Sequence, residues 1–172
     1  MITIFDYGIN NLFSLKNIVS HCGFEVLITN KKEEIINSDG MILPGVGSFP
    51  EGMNKLIENN YDKTIYEYID TGKPLLAICL GFQMLFSQSI ELNEKTKGLD
   101  IIKGEILKIP KNKNNKIPHV GWNKVLPVQK NDIIKQESPF YFVHSFYAKP
   151  LEDRFKLTKT YYYDLEFCSS IL

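Results

Sequence analysis

The chain has 172 residues, of which 44% are hydrophobic and 23% charged, and its 20 Lys plus Arg balance 20 Asp plus Glu to a formal net charge of zero. One globular core is within reach of such a chain, but the positive field of a nucleic-acid-binding protein is absent, and Arg154 is the single arginine available to read a phosphate or a guanine. No stretch approaches the roughly 18 uninterrupted apolar residues of a membrane span, and Met1 to Tyr7, apolar but broken by Asp6, lacks the basic flank of a secretory signal.

Three cysteines, Cys22, Cys79 and Cys168, are odd in number and far apart in sequence, which suits neither a disulfide framework nor a zinc site. The expectation is a cytoplasmic protein without metal or other cofactor, and without nucleic-acid or membrane partners.

In chain order, Ile2 to Phe5 reads as a strand, and Asn11 to Cys22 as a helix whose apolar residues Leu12, Leu15, Ile18, Val19 and Cys22 recur at spacings of three and four. That spacing puts Cys22 in the core. Asn11 or Asn10 is placed to cap the helix, and Gly23 to end it. Glu25 to Thr29 and Gly40 to Leu43 continue as strands, Glu51 to Asn59 and Asp62 to Asp70 as helices, and Pro74 to Ile78 as a strand buried on both faces. After Gly98 the pattern changes to Glu105 to Ile109, Trp122 to Val128, Phe140 to Tyr147, Phe155 to Tyr163 and Glu166 to Ile171, read as partly antiparallel strands. Lys111 to Lys116, basic but without interleaved aromatics, reads as a solvated turn. The expected fold is α/β: one domain over residues 1–172 with a mixed, largely parallel sheet flanked by helices, and antiparallel strands in the C-terminal half.

The segment with the most chemistry is Pro74-Leu-Leu-Ala-Ile-Cys-Leu-Gly-Phe-Gln-Met-Leu-Phe86. A buried strand runs into a cysteine with small Ala77 two residues before it and Gly81 two after, which is the pattern of a nucleophile elbow with sulfur in place of oxygen. The helix that Leu80, Met84 and Leu85 outline would point its positive N-terminus at Cys79 and lower the thiol pKa. A second feature, Leu43-Pro-Gly-Val-Gly-Ser-Phe49, ends a strand in a glycine loop. Its amides, with that of Leu80, could hold the oxyanion formed when a thiolate attacks a carbonyl.

These segments, with Asp6-Tyr-Gly8 and Asn11-Leu12, Pro118-His-Val-Gly-Trp-Asn123 and Tyr141-Phe-Val-His-Ser-Phe146, resemble the class I glutamine amidotransferases. More narrowly they resemble the glutaminase subunits of imidazole glycerol phosphate synthases, which serve histidine biosynthesis. The resemblance implies glutamine as substrate, Cys79 as nucleophile, and Gly45, Val46, Gly47 and Leu80 around the oxyanion. It implies Gln83, Glu91, His144, Ser145 and Phe146 at the glutamine, and Trp122, Asn123 and Tyr141 on the face that meets a (β/α)8-barrel synthase in a heterodimer.

Two departures stand out. Asn10 replaces the family's usual glycine, and the residues through Leu172 do not include the family's Phe-His-Pro-Glu segment, whose His and Glu complete a Cys-His-Glu triad. A chain without that segment is expected to be inactive or strongly impaired, with His119 and His144 as the substitutes to weigh for the base and His21 as a surface or packing residue. Other readings remain open: a glutaminase serving a different barrel synthase, such as one of surface-sugar amination, a non-catalytic binding subunit, or a redox-sensing thiol at Cys79.

Overall fold

The computed structural model describes residues 1–172, which fall into two compact units, Met1–Leu85 and Phe86–Leu172. The expected α/β class is observed. In place of one largely parallel sheet there are two, one in each unit: the first is all parallel and the second, larger one is antiparallel except for one pair.

In the first unit the elements run β1 (Ile2–Phe5), α1 (Leu12–His21), β2 (Val26–Thr29), α2 (Lys32–Ile36), β3 (Gly40–Leu43), α3 (Phe49–Glu58), α4 (Tyr61–Asp70), β4 (Leu75–Ala77) and α5 (Leu80–Met84). The strands pair in parallel in the order β2-β1-β3-β4. Central β1 and β3 carry the core, with Ile4, Phe5, Met41, Ile42 and Leu43 buried, each such side chain contributing about 1.5–3 kcal/mol. Because β1, β3 and β4 are parallel neighbours, the loops that leave their C-terminal ends, at Asp6-Tyr7, Pro44-Gly45 and Ile78-Cys79, gather along one edge. That edge is where open α/β sheets bind ligands.

Several expectations fail here for physical reasons. Cys22 is exposed, and no residue of α1 is fully buried. Phe13 and Ile18 are also exposed, so the apolar arc of α1 is broader than the strip that β1 and β2 cover. Neither asparagine caps the helix by its side chain; Asn10 Nδ2 donates instead to Asp6 Oδ1 at 3.1 Å. Gly23, at φ 87°, does end the helix as expected. β4 is not buried on both faces, because it is an edge strand with β3 as its neighbour and Leu76 is 56% exposed. Helix α2 had no sequence signal, since Lys32-Glu-Glu-Ile-Ile36 is too short to show a period.

The second unit is an eight-stranded sheet in the order β6-β5-β7-β10-β12-β11-β8-β9. Its strands are β5 (Phe86–Glu91), β6 (Glu94–Lys97), β7 (Ile102–Lys108), β8 (His119–Pro127), β9 (Ser138–His144), β10 (Phe146–Pro150), β11 (Lys156–Tyr162) and β12 (Leu165–Ile171), with one 3-10 turn at Asp153–Phe155. β5 and β7 pair in parallel and the remaining pairs are antiparallel. The segment expected as one strand over Phe140 to Tyr147 is two strands, β9 and β10, which lie far apart in the sheet order. The β5-β6 hairpin was not anticipated. Its two-residue turn, Leu92-Asn93, has both residues at positive φ, 57° and 60°, the geometry of a tight hairpin in which asparagine is at home. Lys111 to Lys116 is the solvated turn expected, organised by Asn112 and Asn115.

Two glycines set how closely α5 can be packed. A Cβ on Gly81 would land on the Leu43 carbonyl oxygen and 2.9 Å from that of Pro44, both fixed backbone. One on Gly52 would meet the Met84 sulfur at 2.7 Å, the movable part of a flexible side chain. Gly81→Ala is therefore expected to cost at least the upper end of the usual overpacking range of about 1–3 kcal/mol. Gly52→Ala should cost much less, since alanine regains about 1 kcal/mol of helix propensity within α3. Thermal melting of the two variants checks the order; equal midpoints would contradict the packing described.

Candidate active site

Cys79 sits between β4 and α5 with φ 54° and ψ −114°. A non-glycine residue held at such angles stores about 1–3 kcal/mol of strain and persists where its surroundings over-determine it. Here they do. The Ile78 amide donates to the Leu43 carbonyl at 3.0 Å, the Gly81 amide to the Ile78 carbonyl at 3.0 Å, and the Gln83 amide to the Cys79 carbonyl at 3.0 Å. The turn is closed on both sides of the cysteine while its side chain stays exposed, as an elbow requires.

The glycine loop lies against this turn. Gly45 is buried, and a Cβ there would come within 2.5 Å of the Tyr7 hydroxyl and 2.8 Å of both the Gly81 nitrogen and Leu80 Cβ. Only glycine fits. Gly47, at φ 101°, turns the chain toward α3. The loop is tied to the segment after β1 at two points: the Tyr7 hydroxyl donates to the Pro44 carbonyl at 2.7 Å, and the Val46 amide to the Ile9 carbonyl at 3.3 Å. Asp6 organises that segment by accepting from the Gly8 amide and from Asn10 Nδ2, each at 3.1 Å. The Val46 N–H, expected to face the oxyanion, is thus committed to Ile9 in this structure.

The electrostatics correct one expectation. Loss of hydration pushes the Cys79 thiol pKa up, and the Leu80 amide, which bonds the sulfur, pulls it down by less. A helix of five residues aligns too few peptides to reverse this. The Leu80 N–H nevertheless points at the sulfur, where an oxyanion donor is needed. Burial raises the Tyr7 phenol far above its usual value, and the nearby Cys79 charge raises it further, so Tyr7 stays a neutral donor beside the nucleophile.

Gly45, Val46, Gly47, Cys79, Leu80 and half-buried Gln83 belong to the first unit. The remaining candidates belong to the second. Glu91 ends β5 opposite Glu94 and is half-buried. Trp122 and Tyr141 face each other across β8 and β9, edge to face at 5.5 Å. At 70% and 54% exposed they are surface, not core. Asn123, expected on the same outward face, turns its side chain inward: Oδ1 meets His119 Nε2 at 3.0 Å and Nδ2 donates to the Tyr161 carbonyl at 2.8 Å. A cavity of about 420 Å³ opens beside these residues, between Trp122, Lys124, Glu137 and Tyr161.

His144 ends β9, Ser145 links it to β10, and Phe146 begins β10. His144 Nε2 contacts His119 Nδ1 at 2.8 Å, and His144 Nδ1 donates to the Phe146 carbonyl at 2.8 Å. Burial lowers the pKa of both rings, most directly opposed at His119 by Asn123 and at His144 by the Phe146 carbonyl, while the His119 charge lowers His144 further. His21 is exposed in the last turn of α1. The residues that sequence reasoning missed are Tyr7, Ile9 and the partnership of the two histidines. Tyr7 had a signal, an aromatic hydroxyl directly after a buried strand, but its partner Pro44 lies 37 residues away.

A strained, solvent-open cysteine on a strand-to-helix turn, flanked by a glycine loop fitted against it, is an arrangement suited to attack on carbonyl carbon by sulfur. The chain belongs to the class I glutamine amidotransferase family, whose model matches residues 3–171. Within that family it is similar to proteins named imidazole glycerol phosphate synthase subunit HisH. With that of Caldanaerobacter subterraneus subsp. tengcongensis it shares 42% identity, over 94% of this chain and 80% of the relative. With that of Chlorobaculum tepidum it shares 37%, over 99% and 86%. Among solved structures, one described as a glutamine amidotransferase superposes with a TM-score of 0.70 at 14% identity, covering 92% of this chain and 79% of the other. The PurLQS structure from Thermotoga maritima gives 0.64 at 16%, covering 98% and 76%. At those identities the likeness concerns the fold.

The three thiols should separate by reagent. A glutamine-like electrophile is expected to modify Cys79 first; exposed Cys22 should react with small reagents but show no preference for the glutamine-like one. Cys168, buried and pushed up to about 12, should resist both. Because the Cys79 thiol is also raised, its labelling rate should keep climbing with pH above the range where an ordinary thiol levels off. Peptide mapping after limited labelling reads this out, and labelling led by Cys168 would contradict it.

Proposed function

We propose that the chain is the glutaminase subunit of an imidazole glycerol phosphate synthase, releasing ammonia from glutamine for a (β/α)8-barrel synthase partner in histidine biosynthesis. The observation that carries this reading is the Cys79 elbow, strained at φ 54° with the Leu80 amide at its sulfur, in a chain of this family. Each HisH relative cited above favours histidine biosynthesis over surface-sugar amination as the destination of the ammonia. A redox sensor would have no use for a glycine loop fitted against the nucleophile turn.

The Cys79 thiolate attacks the carboxamide carbon of glutamine, and the charge that develops on the oxygen is held by the Leu80 amide with the loop Gly45-Val46-Gly47. Val46 contributes only once its N–H leaves the Ile9 carbonyl. The base that takes the Cys79 proton to form this thiolate returns it, as a general acid, to the amide nitrogen, so that collapse of the tetrahedral species breaks the C–N bond, releases neutral ammonia and leaves a glutamyl thioester on sulfur. Water, deprotonated by the same group, then releases glutamate. His119 and His144 are poor choices for that group, because their four ring nitrogens are engaged by each other, Asn123 and Phe146. The histidine of the family's Phe-His-Pro-Glu pattern fits the role. Gln83, Glu91, His144, Ser145 and Phe146 are assigned to the bound glutamine.

Ammonia released into water would be protonated and diluted, so the reaction is useful only against a partner that accepts it directly. Trp122 and Tyr141, both outward, with Val120 and Val143 beside them at 53% and 59% exposure, form the apolar strip assigned to that contact in a heterodimer. A cytoplasmic location accords with three free thiols and with the lack of any helix long and apolar enough to cross a membrane.

Glutamate release, measured with the barrel synthase present on a chain that includes a Phe-His-Pro-Glu segment, should vanish in Cys79→Ala and fall about 10²- to 10⁴-fold when that histidine is removed. Trp122→Ala should weaken association with the synthase while leaving the melting temperature nearly unchanged. Full activity in Cys79→Ala would overturn the assignment of the nucleophile, and unchanged association in Trp122→Ala that of the docking strip.

A further inference from the structure

Three contacts run in line through the second unit: Asn123 Oδ1 to His119 Nε2 at 3.0 Å, His119 Nδ1 to His144 Nε2 at 2.8 Å, and His144 Nδ1 to the Phe146 carbonyl at 2.8 Å. Both ends of the line are acceptors. A backbone carbonyl can only accept, and the Asn123 amide is oriented by Nδ2 donating to the Tyr161 carbonyl at 2.8 Å, which leaves Oδ1 toward His119. The hydrogens of the two end contacts must therefore sit on His119 Nε2 and His144 Nδ1. A neutral imidazole carries one N–H. Two neutral rings would spend both hydrogens at the ends and leave two lone pairs facing each other across 2.8 Å.

A third proton, between His119 Nδ1 and His144 Nε2, turns that opposition into a charge-assisted hydrogen bond. The surroundings accept a cation. His119 is 1% exposed, and its ring is stacked on Tyr162 at 3.9 Å and on Phe142 at 5.0 Å, so two electron-rich faces meet it. Burial acts in the opposite direction, since it disfavours any charge. The fixed acceptors decide, because the neutral pair can relieve its facing lone pairs only by giving up one of the other contacts.

We infer that His119 and His144 hold one shared proton and titrate as a single monocationic unit that ties β8 to the β9–β10 link. The groups that face the pair are Asn123 from β8, Phe142 from β9, Tyr162 from β11 and Phe167 from β12. Of these the Tyr162 phenol alone is ionisable, and its hydroxyl donates to the Lys116 carbonyl. When the proton leaves, the central contact survives only if one ring moves its hydrogen inward, which opens an end contact and frees either the Phe146 carbonyl or the Asn123 side chain. The consequence for function rests on the reading above: if 144–146 meets glutamine and Asn123 borders the synthase face, one proton couples the two.

The test is spectroscopic and uses the full chain with ¹⁵N-labelled histidine, followed by long-range proton–nitrogen spectra from about pH 5 to pH 9. The expected result is that the two rings share one titration step, that below it His119 Nε2 and His144 Nδ1 both carry hydrogen, and that above it one of these two nitrogens has given its hydrogen to the central contact. Asn123→Ala removes the fixed acceptor and lets His119 place its hydrogen on Nδ1, so both rings can be neutral and still bonded. The joint step should then shift at least tenfold in proton affinity, toward lower pH. Unprotonated His119 Nδ1 and His144 Nε2 near pH 6, two separate steps in the wild-type chain, or an unmoved step in Asn123→Ala would each overturn the inference. The wild-type spectra decide the matter even where Asn123→Ala fails to fold. A chain unable to hydrolyse glutamine would defeat the proposed function and leave these spectra unchanged.

Discussion

The close approach of Gly81 to the Leu43 carbonyl is the constraint on which the first unit depends. The end of β3 and the start of α5 are in backbone contact, and the same carbonyl accepts the Ile78 amide from the other side of the cysteine. With both flanks of Cys79 fixed to one strand end, the residue between them has little conformational choice and takes φ 54°. Strain at Cys79 is thus maintained by main-chain hydrogen bonds and by the absence of a single methyl group, rather than by the cysteine itself. Cys79 as a residue stays open to solvent at the apex of so tight a turn, while the groups packed around its sulfur remove enough water to raise the thiol pKa.

The glycine loop uses the same economy of volume. Gly45 fills the gap between the Tyr7 hydroxyl and the Gly81 nitrogen, so the segment after β1, the loop after β3 and the turn after β4 meet at one residue without a side chain. Tyr7 and Ile9 then fasten the loop through one carbonyl and one amide. The two ties differ in character. The tyrosine hydroxyl is buried and bonds at 2.7 Å, whereas the Val46 amide bonds at 3.3 Å from an exposed residue and is the easier to release.

In the second unit the edge hairpin β8-β9 divides its residues by the pleat. Val120, Trp122, Tyr141 and Val143 point outward as an apolar strip, while His119, Asn123, Phe142 and His144 point inward to a polar contact line packed among rings. Alternation along two paired strands therefore puts an exposed apolar strip on one face and a buried titratable pair on the other. A one-residue slip in register would exchange them, and the contacts of Asn123 with His119 and with the Tyr161 carbonyl help to hold that register.

Much of this was legible in the sequence. Alternation of apolar runs and helical periods placed β1, β3, α3, α4 and β4 within a few residues. The small residues around Cys79 announced the elbow, since a turn that tight tolerates few others. Motifs in order were enough to identify the family. What periodicity could not show was which side of each element has a neighbour. Cys22 lies on the apolar face of α1 and Leu76 in an apolar strand, yet both are exposed, because burial depends on what packs against a face and not on the face alone. The thiol pKa of Cys79, expected to fall, rises for a similar reason: the sequence shows a helix start beside the sulfur but not how much water the fold removes. The sequence by itself determined the chemistry available, a cysteine, a glycine loop and two histidines. Only the tertiary structure decided that Tyr7 meets Pro44, that Val46 is held by Ile9 and that His119 shares a contact with His144, because hydrogen bonds between residues 25 to 37 apart are set by sheet order and register, which leave no local trace in the chain.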